Sequence, residues 1–155
     1  MSAPAAPGAG LPALPVTFRP TRTRVVLLSV GAVMFAVITA VAFTLEQLSG
    51  GERASFVFTA LLFLGVLALL SRPRIVADDD GVTVVNLTRT RRLSWAEIVR
   101  VNLRVGDPWV FLDLSDGTSM PALGIQPGIA KEQAIRDART LRALAENRGT
   151  GTDNG

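Results

Sequence analysis

Asp78-Asp79-Asp80-Gly81 sets three carboxylates in succession, a cluster that could hold a calcium ion, and Asp107, Asp113 and Asp116 could supply a paired general acid and base. Neither chemistry fits the spacing. A calcium loop of the EF-hand type takes ligands from alternate positions and closes with a later bidentate Glu, and none is placed correctly here. The run reads as a solvated hairpin turn. Asp107 and Asp116 lie in turn sequences, and Asp113 faces Arg100 across a predicted hairpin. Cysteine and histidine are both absent. That removes disulfides, thiol nucleophiles, thiolate or imidazole metal sites and the commonest general base. The expectation is a non-enzymatic protein without catalytic residues, metal or cofactor.

Arginines and aromatics are better suited to recognition. Arg100, Asn102, Arg104, Trp109 and Phe111 fall on one predicted sheet face, away from the core. Exposed aromatics beside arginine resemble an interface hot spot, so these five residues form a candidate face for a protein partner. The alternative is that strand ends, a membrane surface or the arginine stems cover the two rings. A second cationic group, Arg89, Arg91 and Arg92 in "LTRTRR", reads as a loop. Near an anionic leaflet each arginine could contribute about 1 kcal/mol; the alternative is a solvated turn. Arg72 and Arg74 would add lipid-headgroup contacts. Asn86-Leu87-Thr88 matches a glycosylation sequon, which would carry meaning only on a secreted surface.

The elements that must position these residues are strands followed by one helix. Val82–Leu87 follows the turn signal Asp80-Gly81, and Val99, Val101, Leu103 and Val105 alternate with polar residues. Trp109–Ser115 is the next strand, Asp116-Gly117 the next turn, and Pro121 marks an edge or bulged strand. Pairing Arg104 with Trp109 across the loop Val105–Pro108 sets Leu103 opposite Val110, Val101 opposite Leu112 and Val99 opposite Leu114. Every pair on that face is apolar, as a core requires; a two-residue slip would keep the same faces, whereas a one-residue slip would mix them. The other face then holds Asn102 with Phe111 and Arg100 with Asp113. Trp95 is expected in the core. From about Gly128 the period becomes helical, with Ala130, Ala134, Ile135, Ala138, Leu141, Leu144 and Ala145 on one stripe. The fold class predicted for residues 75–147 is α+β, an open β-barrel plugged by a C-terminal helix.

Ahead of this domain lie two apolar runs. Val25–Leu45 holds 21 residues and Ala54–Ser71 holds 18, all uncharged. At 1.5 Å of rise per residue they reach roughly 32 and 27 Å, enough to cross a hydrocarbon core of about 30 Å. Arg19, Arg22 and Arg24 precede the first run, and Arg72 and Arg74 follow the second. The positive-inside rule then puts both ends of a transmembrane hairpin in the cytoplasm of a bacterial plasma membrane. A signal peptide cleaved after Ala40-Val41-Ala42 is the rival, opposed by the length of the run and by the second span that follows. Ala32, Ala36, Ala40 and Thr44 form a small-residue stripe that is expected to pack on the second span, the alternative being a homo-oligomer contact. Residues 1–18 are expected to be a disordered cytoplasmic tail, 19–74 the hairpin, and 148–155 a second disordered tail. The Arg72-Pro73-Arg74 link confines the domain to the lipid headgroups.

Arginine supplies 15 of the 16 basic residues, a bias that fits a high-GC bacterial genome. From Ile75 to Arg148 ten basic residues face ten acidic ones, so no nucleic-acid groove is expected. The segments "RPRIVADDDGVTVVN", "LSWAEIVRV", "GDPWVFLDLSDGT" and "LGIQ" resemble a family of actinobacterial membrane proteins with a pleckstrin-homology-like (PH-like) domain, named after low-molecular-weight protein antigen 6. The resemblance covers roughly residues 19–147 and is most specific at Trp95–Ile98 and Gly106–Trp109. It implies a seven-stranded PH-like barrel with a C-terminal helix, and no established ligand or activity. The functional expectation is a membrane adaptor that engages a membrane-proximal protein. The alternatives are a lipid-sensing module acting through Arg89, Arg91 and Arg92, and a structural subunit whose spans matter most.

Overall fold

The computed structural model describes residues 10–150. The chain divides into two compact units, one formed by Thr21–Arg72 and the other by the segments on either side of it.

The first unit is a helical hairpin of α1 (Thr21–Thr44) and α2 (Gly50–Leu70). Both helices are long and apolar enough to cross a membrane. Helix α2 starts on a capping box: the Ser49 hydroxyl accepts from Glu52 N–H, and Ser49 N–H donates to the Glu52 carboxylate at 2.8 Å. Arg53 closes the other side of the turn. Its Nε donates to the Ala42 carbonyl at 2.9 Å, satisfying an acceptor that the end of α1 leaves open, and its guanidinium lies 5.3 Å from the centre of the Phe43 ring. The helices meet at Gly31, Ala42 and Ala60, which are buried. A Cβ at Gly31 would lie 3.0 Å from Leu64 Cδ1, so the missing side chain is what permits the approach. Ala32, Ala36, Ala40 and Thr44 are all exposed. The expected packing of that stripe on the second span is therefore corrected: a four-residue period drifts around a 3.6-residue helix, and the seam follows Gly31 and Ala42 instead. Val33, Phe58 and Leu62 stand outward, so the hairpin presents apolar side chains on faces that no part of it covers.

The second unit is an α+β domain of two antiparallel sheets and one helix. The first sheet has the order β1 (Val16–Phe18), β2 (Arg74–Ala77), β3 (Gly81–Val85), β4 (Thr90–Ser94). The second has the order β5 (Ile98–Asn102), β6 (Val110–Leu114), β7 (Ser119–Ala122). Helix α3 (Lys131–Thr150) packs against β5 and the 3-10 turn Trp95–Glu97. Ile75, Val82, Val84, Leu93, Val101, Val110, Leu112 and Leu114 of the strands form one core with Ala134, Ala138, Leu141 and Leu144 of α3. Trp95 is buried there as expected, its indole N–H donating to the Asp78 carbonyl at 3.0 Å.

Three expectations are corrected. Residues 16–18, read as part of a disordered tail, form β1: Val16 pairs with Ala77 and Phe18 with Ile75, and Phe18 is buried in the core. The rest of that tail lies partly outside the described residues, as does residue 151 onward, whereas Arg148–Thr150 continue α3. Finally, Val99 does not face Leu114. A bulge at Val99 lets Ile98 take that place, and Val99 is two-thirds exposed.

Asn86 joins the two sheets. Its side-chain N–H donates to the Pro121 carbonyl at 2.9 Å and its side-chain oxygen accepts from Leu123 N–H at 3.1 Å, so one side chain replaces a ladder rung between the β3–β4 turn and β7. Asn86→Ala removes both bonds and should cost about 2 kcal/mol, read as a lower melting temperature, while Asn86→Gln should not restore the geometry.

Candidate functional site

The β5–β6 register brings most of the predicted face together. Arg100 stands opposite Asp113, Asn102 opposite Phe111, and Phe111 opposite Pro121 of β7. The Trp109 and Phe111 rings lie 6.5 Å apart, tilted by 48°, and both are half-buried. The indole N–H of Trp109 is buried and has no acceptor among the described residues. Asp113 is held by the Asn102 side-chain amide, not by the predicted partner Arg100, whose side chain is exposed. Arg104 departs from the face. Its N–H donates to the Asp107 carboxylate and its carbonyl accepts from Asp107 N–H, so it opens the turn instead of pairing with Trp109. Gly106, at φ +96°, takes the turn position that a side chain would strain.

Of the predicted lipid contacts, Arg91 and Arg92 lie in β4, not in a loop. Arg92 pairs with Asp78 at 3.1 Å and lies 3.8 Å from Asp80. Burial disfavours the charge on Asp78, but hydrogen bonds from the N–H groups of Asp80 and Gly81, together with Arg92, outweigh it and hold the carboxyl below the usual range. Hydrogen bonds from Ser94 hold Glu97 low and bonds from Thr118 hold Asp116 low, with the nearby charge of Arg91 assisting both. Arg92 is thus occupied by carboxylates of its own domain, whereas Arg91 lies exposed near those of Glu97 and Asp116. Arg89 closes the β3–β4 turn through its carbonyl and keeps an exposed side chain. Arg72 follows the C-terminal turn of α2 and Arg74 opens β2, both exposed.

The aspartate run is divided among separate partners, since Asp79 pairs with Arg148 at 2.9 Å. Among the described residues no group of three acidic side chains is arranged to hold a metal.

A cavity of about 270 Å³ between the β5–β6 turn and α3 was not foreseen from the sequence. The available signal was the spacing of Lys131, Ile135, Arg139 and Arg142, which places them on one side of a helix.

Residues 72–144 match the bacterial PH domain family. Uncharacterised proteins of Mycobacterium bovis and Mycobacterium tuberculosis are each 32% identical over 84 residues, which is 54% of this chain and 54% of theirs. The chain therefore spans about half the length of the curated relatives it matches. No solved structure matches the chain.

Proposed function

Residues 72–144 belong to the bacterial PH domain family, and from that premise we propose that the protein is a membrane-anchored, non-enzymatic adaptor whose PH domain engages a membrane-proximal protein. The uncovered apolar faces of α1 and α2 support the anchor, and the arginines flanking the hairpin favour cytoplasmic ends. Arg19-Pro20 links β1 to α1, and Ser71–Pro73 links α2 to β2. Links this short span at most about 10 Å, so the domain is held at the membrane from both ends of the hairpin. Such confinement favours partners already at the bilayer, because effective concentration replaces intrinsic affinity.

The observation that carries the adaptor reading is the Trp109–Phe111 ring pair, half-buried on the sheet face that also bears the exposed Arg100. Aromatic residues with arginine dominate binding energy at interfaces. The lipid reading is weakened by the carboxylates that engage Arg92.

Photo-crosslinking from position 109 in native membranes tests this. A discrete protein adduct, lost in Phe111→Ala and Arg100→Glu, is the expected result. Adducts with lipid alone, or protein adducts indifferent to both substitutions, would overturn it.

A further inference from the structure

The cavity between the β5–β6 turn and α3 has an apolar interior and a cationic mouth. Leu103 after β5, Pro127, and Ile135 and Ala138 from the helix line it. Arg104, Lys131, Arg139 and Arg142 line it as well, against the single carboxylate of Asp107. That carboxylate is already accepting from Arg104 N–H within its own turn.

We infer that this cavity is a docking site for an acidic peptide segment of the partner, with one bulky apolar side chain seated inside and its neighbouring carboxylates on the arginine and lysine rim. The inference rests on the adaptor reading and names the partner's chemistry.

Three features select this occupant. The volume, about 270 Å³, falls just below the range of roughly 300–1,000 Å³ that holds drug-sized ligands. It suits one large side chain and not a two-chain lipid. The cations are spread out: Lys131 and Arg142 are separated by about 16 Å along the helix at 1.5 Å per residue. Carboxylates distributed along a chain match that spread better than one compact anionic group. The walls are also fixed in advance. Arg142 donates to the Val101 carbonyl from Nε at 3.2 Å and from Nη2 at 2.8 Å, and the Arg104–Asp107 bonds lock the turn. Preorganisation lowers the ordering cost of binding. Val105, fully exposed at the tip of that turn, extends the apolar surface at the mouth.

The test uses the full chain in phosphatidylcholine nanodiscs and a fluorescein-labelled synthetic peptide of glutamates around one Phe. Saturable anisotropy binding is expected, about tenfold weaker for a peptide with Ala in place of Phe and about tenfold weaker for the chain carrying Lys131→Glu and Arg139→Glu. Both substituted side chains are exposed, and Ile135→Trp offers a second variant that fills the cavity without altering charge. Binding that is absent, or indifferent to the Phe and to all three substitutions, overturns the proposal. So does binding of phosphatidylglycerol vesicles that the charge reversals abolish when the peptide does not bind. A discrete crosslink at position 109 with no peptide binding sinks the cavity site and leaves the adaptor reading standing. Loss of both sinks both.

Discussion

A chain in which Thr21–Arg72 is replaced by a short Gly-rich turn is expected to give a soluble, folded domain, whereas a fragment running from Pro73 to Thr150 should melt far lower or fail to fold. The hairpin is inserted between β1 and β2 in sequence, yet Phe18 and Ile75 are cross-strand partners. The gap to be closed is therefore only a hairpin's width. The fragment from Pro73 loses Phe18, buried to 5% exposure, together with Leu11, Leu14 and Val16, which pack on the core. Truncating one buried Phe typically costs about 3–5 kcal/mol, a large share of the 5–15 kcal/mol that stabilises a whole domain. In a domain this small each kcal/mol is worth about 4–8 °C, so the two forms should differ by on the order of 20 °C. The fragment would also expose the edge of β2, an invitation to aggregate. Circular dichroism melts of the two forms decide the matter. Melting points within about 3 °C would mean that β1 is no part of the domain.

β1 also marks where sequence reasoning ran out. Val16–Phe18 is three residues in a stretch rich in Pro and Ala, with too few positions for alternation to register, and its partner lies beyond the whole hairpin. By contrast, the faces of β5 and β6 were legible, because a one-residue slip would invert both; a two-residue slip keeps them, and the structure selects Val101–Leu112, Asn102–Phe111 and Arg100–Asp113. The error at Val99 arose where the 3-10 turn Trp95–Glu97 feeds the strand: the added residue is accommodated as a bulge, which a strict two-residue period does not anticipate.

The charges behaved similarly. That Arg91 and Arg92 are cationic and exposed is plain from sequence. The pairing of Arg92 with Asp78 and Asp80, and the nearness of Arg91 to Glu97 and Asp116, depend on which turns the sheet brings alongside β4. The alanine stripe of α1 was visible but its direction was not, since an alanine facing lipid and one facing a helix look alike in sequence. Gly31 settles the direction by sitting against Leu64 and Leu67. The cavity is the extreme case, because Lys131 and Arg139 reach Leu103 and Arg104 only through the way α3 lies along the β5–β6 turn.

Gly124→Ala should be the most damaging single methyl in the domain outside the β3–β4 hairpin. A Cβ there would lie 2.6 Å from the Arg74 carbonyl carbon and 2.7 Å from Ile75 N, all backbone atoms of β2, so no side chain can swing aside. The segment after β7 must therefore lift away from β2, at the seam where Ile125 accepts from Val110 N–H and Asn86 holds Leu123. Overpacking of this kind costs about 3 kcal/mol when the neighbour cannot give, which predicts a melting point lower by on the order of 15 °C. Gly128→Ala is the matched control, because nothing lies within 4 Å of its added Cβ; its effect should stay within about 0.5 kcal/mol. The displacement should also be felt at the partner face, since Pro121 of β7 stands opposite Phe111. Crosslinking from position 109 should then weaken in Gly124→Ala below its melting point and remain intact in Gly128→Ala. Equal melting curves for the two variants would mean that the segment after β7 does not close against β2, and the packing that positions Trp109 and Phe111 would have to be redrawn.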